Sequence, residues 1–410
     1  MKLRVGIVCD LKEEQWHSMD LIADMLMERL PSVGGDALAP SRLCPPMIPR
    51  WSRLALLGPS ARLRLADRLT GRLWDYPRWL ARRVPDFDLF HIVDQSYAHL
   101  VRVLPPQRTI VTCHDIDAVR DALPGGGRLG PARLLASRIL DGLGRAAHVC
   151  CVSRATRDDL VATGGVDPQR VSVVYEGAHP SCSPTAVPEW DREIARRINC
   201  IPNAAAAVGA RLAHVDARID VLHVGSTIPR KRIDVLIEIL AGLRRTIDSV
   251  RLVRVGGGLA PAQRALASRL NVADSILELP YLERPALAAL YRRASLVLLP
   301  SEREGFGLPV IEAMACGTPV VASDIPALRE VGGAAATYCP PGRAPDWIEK
   351  IAELLNERSA APAGWMKRRE ASLAQAARFD WWTYAREMTQ LYVQVAASSG
   401  LPNLASKATD

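Results

Sequence analysis

The stretch PSEREGFGLPVIEAMACGTPVVASD, residues 300–324, concentrates more chemistry than any other part of the chain. It reads as a strand end, a loop, a helix and a second strand. Gly305 and Gly307 let a backbone come close to a ligand, Pro309 suits the first turn of a helix, and Gly317 is placed to end it. A helix starting around Leu308, Pro309 and Val310 leaves backbone N–H groups unpaired, which attract an anion by about 0.3 to 1 kcal/mol when exposed and about 2 kcal/mol when partly buried. A pyrophosphate suits that field. Glu304 and Glu312 stand eight positions apart, so both carboxylates can flank one ligand, one on sugar hydroxyls and the other on a ribose. The plainer alternative is a tight strand-to-helix turn with solvated glutamates.

Further candidates sit where apolar runs end, the position at which α/β proteins place ligand contacts. His114 follows the run 109–113 and precedes Asp115; Asp94 and Ser153 close two other runs. His17 and Trp16 lie in the segment DLKEEQWHSMD after the first run.

Short β-like runs alternating with longer helical patterns position these residues and predict an α/β chain of parallel sheets wrapped by helices. Strands are expected at 3–9, 89–93, 109–113, 148–152 and 171–174, and again near 221–224, 251–255, 276–279, 296–299 and 320–323. Between the two sets, from about Pro180 to Asp220, lies a proline-bearing stretch with Pro180, Pro184, Pro188 and Pro202. The divisions are residues 1–180, a linker at 181–217, a second lobe at 218–378, and a C-terminal helix and tail at 379–410, whose Trp381, Trp382, Tyr384 and Tyr392 predict docking. The glycine run 125–127 forms a loop placed to gate a ligand at the mouth of the first sheet.

At 410 residues the chain suits two domains, and 49% hydrophobic with 23% charged residues is a globular composition. The apolar start is too short for a signal peptide, and no run reaches the roughly 20 residues of a membrane span. The nine dispersed cysteines lack a C-x-x-C pair and fit a reducing cytoplasm. Without an H-x-x-x-H, a cysteine pair or clustered aspartates, no metal site is expected. The net charge of +8 is concentrated between Arg50 and Arg83, where nine arginines face Asp67 and Asp75. There Arg64, Arg68 and Arg72 run beside Leu65, Leu69 and Leu73, with Trp51, Trp74 and Trp79 near. That pattern is either a solvated helical face packed on the first lobe or a contact with an anionic membrane surface. No nucleic-acid motif accompanies it.

The string 300–324 resembles the glutamate, seven residues, glutamate signature of glycosyltransferase family 4, retaining enzymes of GT-B fold. LHVGSTIPRKRIDVLIEIL, VGGG at 255–258, PALAALYRRASLVLLPS, SDIPALREVGG, VTCHDID and the run 149–177 are similar to the same family. The resemblance covers residues 87–341. It implies two Rossmann-like lobes facing a central cleft, with the acceptor on the first and a nucleotide sugar on the second. It makes Arg230 and Lys231 the pair that neutralises the donor diphosphate, Glu304 the neighbour of the transferred sugar, Glu312 the ribose ligand and His114 a sugar contact. Gly225 and the run Gly305, Phe306, Gly307, Leu308, Pro309 and Val310 line the donor. Transfer would be metal-independent and without cofactor, retaining, and directed to a glycan or lipid-linked acceptor in cell-surface polysaccharide or glycoconjugate synthesis. The PRK run leans toward GDP-mannose, and the place of work would be the cytoplasm or the inner face of its membrane.

Two positions depart from the family. The loop after the first strand lacks its glycines, and Ser226 stands where an arginine is common. An epimerase or phosphorylase on the same architecture, or a non-catalytic nucleotide-sugar binder, stays open.

Overall fold

The computed structural model describes residues 2–53, 61–123, 130–199 and 218–401; the glycine run 125–127 and residues 200–217 of the expected linker lie outside them. The chain divides into two compact units, Met1–Glu176 with Asp380–Asp410, and Gly177–Phe379.

Each unit is built on one six-stranded sheet. The first comprises β1 (Leu3–Val8), β2 (Leu38–Leu43), β3 (Leu89–Ile92), β4 (Thr109–Cys113), β5 (His148–Cys151) and β6 (Val171–Val173), in the order β2-β1-β3-β4-β5-β6. The second comprises β7 (Ile219–Val224), β8 (Val250–Val255), β9 (Ile276–Leu279), β10 (Leu296–Leu299), β11 (Val320–Ser323) and β12 (Thr337–Cys339), ordered β12-β11-β10-β7-β8-β9. The strand pairs are parallel. Parallel sheets are covered on both faces, which is why β3, β4, β5, β8, β10 and β11 are buried at every position, polar residues such as His91, Arg251 and Arg254 included.

All ten expected strands form. The two that were not anticipated are edge strands with weak local signals. β2 reads LAPSRL, with Pro40, Ser41 and Arg42 breaking any apolar pattern, and β12 is three residues long. In each sheet the strand order reverses beside the first strand, between β1 and β3 and between β7 and β10. The crevice past the strand ends at such a reversal is where doubly wound sheets take ligands.

The C-terminal helix Trp381–Ser398 belongs to the first unit and buries Trp381, Tyr384, Leu391 and Tyr392. Asp380 caps its start, accepting from the amides of Trp382 and Thr383. Deeper in, the Tyr392 hydroxyl lies 2.7 Å from His91 Nδ1, and His91 Nε2 lies 2.7 Å from Thr112 Oγ1. Burial pushes the His91 pKa down to about 3, so the ring is neutral and bridges two hydroxyls. At the helix start the Arg29 guanidinium stacks 4.5 Å from the Trp382 ring.

The basic segment forms the helix Ala61–Thr70, a π turn at Gly71–Asp75 and the helix Tyr76–Ala81. Its orientation differs from a simple basic face packed by leucines. Asp67 is buried and holds the preceding chain by accepting from the amides of Arg50, Trp51 and Ser52 at 2.7 to 2.9 Å. Arg72 turns inward, 4.2 Å over the Tyr97 ring. Leu65, Leu69, Leu73, Trp51 and Trp74 are left exposed.

Candidate functional site

In the second unit the site is built where β7 and β10 end. After β7 the chain makes a 3-10 turn, Pro229–Lys231, before the helix Ile233–Leu243. The loop after β10 is fastened to that turn: the Glu302 amide donates to the Arg230 carbonyl at 2.8 Å, Arg230 donates to the Arg303 carbonyl at 2.8 Å, and Arg232 donates to Glu302 at 2.8 Å.

These contacts bring three predicted site residues together. Lys231 Nζ donates to Glu304 Oε1 at 2.6 Å, and Arg230 Nη1 donates to Glu304 Oε2 at 3.1 Å. The Glu304 side chain is 7% exposed and its two partners 14% and 18%. Burial alone would raise the Glu304 pKa, but the cations more than offset it and hold the group below the ordinary range, so it is a carboxylate. A fixed anion with two flanking cations is an arrangement that charge-assisted bonds make rigid.

Glu312 takes a different set of partners. It is buried in the helix Leu308–Ala315, accepting from the Tyr291 hydroxyl at 3.0 Å and from Arg284 at 3.1 Å, both on the helix Arg284–Arg293. The helix starts after Gly307, whose φ of +106° and 2.7 Å approach to Leu328 Cδ2 at the Cβ position exclude other residues. Pro309 lies in the first turn and Gly317, at φ +72°, follows the end. Gly305, Phe306 and Val310 are buried while Leu308 and Pro309 are half-buried. The Phe306 ring packs edge-on against Phe379 at 5.7 Å, so its side chain serves the core. Gly225 follows β7 and its amide donates to the Val255 carbonyl.

In the first unit His114 follows β4 with both ring nitrogens engaged. Nε2 is 2.7 Å from the Val93 carbonyl and Nδ1 is 3.1 Å from Glu176 Oε1. Burial opposes its charge, but Glu176 and Asp94 prevail and push the pKa up to about 9. It is thus a fixed imidazolium, not a free base. Asp94 and Ser153 cap the segments after them, accepting from the amides of Ser96 at 2.7 Å and Thr156 at 3.0 Å. Trp16 precedes the helix His17–Gly34, with both Trp16 and His17 exposed. Beside β1, Asp10 is 4% exposed and neither carboxylate oxygen has a hydrogen-bond partner among the described residues; burial and the neighbouring Asp94 push its pKa well up.

Sequence reasoning missed Tyr291, Arg284, Glu176 and Asp10. The residues they bond, or for Asp10 the charge that acts on it, lie 21, 28, 62 and 84 positions away, and no local pattern reports such pairs. Among the described residues no group of three His, Cys, Asp or Glu is arranged to hold a metal.

Paired six-stranded parallel sheets with these loops define the GT-B architecture, and comparison with solved structures agrees. Sucrose-phosphate synthase from Thermosynechococcus elongatus aligns with a TM-score of 0.69 at 20% identity over 97% of this chain and 100% of that one. Anabaena HepE, solved in complex with UDP and glucose, aligns with a TM-score of 0.69 at 16% identity over 95% and 99%. The model of the glycosyl transferases group 1 matches residues 210–377 and that of Glycosyltransferase Family 4 matches residues 38–181. The D-inositol 3-phosphate glycosyltransferase of Segniliparus rotundus is 35% identical over 55% of this chain and 50% of its own length. That of Mycobacteroides abscessus is 32% identical over 71% of this chain and 61% of its own. The chain belongs to glycosyltransferase family 4, and it spans half to three fifths of the length of these two relatives.

Proposed function

We propose that this protein transfers a hexose from a nucleotide sugar to a hydroxyl of a glycan or lipid-linked acceptor, with retention and without a metal. The observation that carries the reading is the set Arg230, Lys231 and Glu304 at the β7/β10 reversal. As the nucleoside diphosphate departs it gains negative charge, and cations already fixed and largely withdrawn from water stabilise that charge without reorganising. Lys231 has three N–H donors and spends one on Glu304, which leaves capacity for phosphate oxygens. Glu304 is the carboxylate beside the sugar and Glu312, oriented by Tyr291 and Arg284, the ribose ligand. Family membership supports these roles, as does the relatives' naming as inositol-phosphate glycosyltransferases.

A thermal-shift and donor-hydrolysis screen against GDP-, UDP- and ADP-sugars tests this. One donor is expected to raise the melting temperature and to be hydrolysed slowly in EDTA, with both effects lost in Glu312→Ala. No response to any donor sinks the reading.

The exposed leucine and tryptophan stripe beside Arg64 and Arg68 supports a membrane-facing role for the first unit, where lipid-linked acceptors are found. No helix among the described residues is long and apolar enough to cross a membrane. Vesicles of anionic lipid are expected to pellet the protein at low salt, and Leu69→Glu with Trp74→Glu to abolish it; equal pelleting of the variant removes this role.

A further inference from the structure

Arg254, on β8, is fully buried. It forms no ion pair with a carboxylate among the described residues. Its guanidinium donates to the carbonyls of Gly257 at 2.7 Å and Gly225 at 2.8 Å, and its Nε has no partner among the described residues. The carboxylate of Glu278 on β9 is engaged elsewhere, accepting from the Leu259 amide and standing 3.8 Å from Arg264. Among the described residues its hydrogen bonds go only to carbonyls, and the nearby Glu278 charge offsets only part of the desolvation, so burial still disfavours its charge; such groups persist where something else supplies the missing negative charge.

The surroundings show where that charge would sit. Arg254 is in register with His223 of β7, itself buried with an unpartnered Nδ1. A Cβ on Gly225 would stand 3.2 Å from His223 Cε1 and 3.8 Å from Lys231 Cε, so Gly225 links this pair to the Lys231–Glu304 contact. A Cβ on Gly256, at φ +119°, would stand 2.3 Å from the Gly225 carbonyl, so the turns after β7 and β8 are in direct backbone contact. Gly257, at φ +100°, has open space on its Cβ side.

We propose that Arg254 is a positioning residue for the donor diphosphate: it clamps the Gly225 and Gly256–Gly258 turns together beside Lys231, and the anionic ligand compensates its buried charge. This rests on the donor reading given above and adds a residue that contacts the phosphate field through the two turns.

The test is calorimetric titration of the full chain with UDP, GDP and ADP and with the matching monophosphates, alongside urea unfolding without nucleotide, for the unaltered protein, Arg254→Met and Arg254→Lys. Arg254→Met is expected to weaken diphosphate binding by about tenfold or more and monophosphate binding clearly less, while the unfolding midpoint holds or rises because a costly buried charge is gone. Arg254→Lys, which keeps the charge, should recover part of the diphosphate preference and carries the test if the methionine variant does not fold. Unchanged diphosphate affinity in a folded variant overturns the proposal, as does an equal loss for mono- and diphosphate with a fall in stability, which marks a purely structural clamp. If the unaltered protein binds no nucleoside diphosphate, the donor reading itself has failed.

Discussion

The β1/β3 reversal in the first unit and the β7/β10 reversal in the second are the same piece of topology furnished with different charges. At β1/β3 stand the carboxylates of Asp10 and Asp94, with Glu14 and its partner Arg72 at 3.6 Å. At β7/β10 stand Arg230, Lys231 and the buried Arg254 around a single partnered carboxylate, Glu304. The fold offers an open strand-end crevice in both units and leaves its charge to the residues just past each strand. The second crevice carries an excess of cations, whereas in the first the acidic groups share the space with Arg72 and the His114 imidazolium.

The largest expected effect comes from discharging the second crevice. Lys231→Ala should cut kcat for donor hydrolysis by about 10² to 10³, the usual cost of removing one preorganised donor from a developing charge. Steady-state rates at saturating donor check it, and a loss under threefold would break the contrast between the crevices.

The next effect belongs to the first unit. The His114 pKa is raised from 6.5 to about 9, so the His114–Glu176 pair contributes fully below pH 6.5 and its contribution is lost as pH rises through 9. Stability measured by urea unfolding should fall by about 3 kcal/mol over that window, and His114→Gln should remove most of the slope.

The smallest concerns Asp10. A buried carboxyl whose pKa is raised gives stability below its unfolded value of 3.8 and forfeits it as pH climbs toward the folded one. Asp10→Asn should therefore stabilise the protein at pH 7 by about 1 kcal/mol without altering nucleotide affinity. Weaker nucleotide binding in this variant would mean that the two crevices are not independent in charge.

The second crevice was more legible in sequence than the first. Strand, glycine loop and helix between Leu296 and Ala315 are contiguous, so Glu304, Gly307, Pro309 and Glu312 announce themselves by spacing. Arg230 and Lys231 were found through resemblance to a family motif, not through anything local that ties them to Glu304. Arg254 was invisible because nothing in VRLVRV separates Arg251, which pairs with Asp220, from Arg254, whose hydrogen-bond partners among the described residues are carbonyls. In the first unit Asp94 and Ser153 were noticed for ending strands, but helix caps and ligand contacts occupy the same positions and use the same residue types. Phe306 was grouped with its neighbours in the loop, whereas its ring is committed to Phe379, 73 positions later.

The return of the last helix to the first unit governs the order in which the protein can be made. Residues up to Glu176 leave the ribosome without the Tyr392 hydroxyl that His91 needs and without the Trp382 ring that covers Arg29. About 200 further residues must be synthesised first, roughly 10 to 40 s at 5 to 20 residues per second. During that interval the second unit, contiguous from Gly177 to Phe379, has all its strands and can fold as a piece. The nascent chain is thus set to complete its later unit before its earlier one, with an apolar seam of the first sheet waiting for the closing helix.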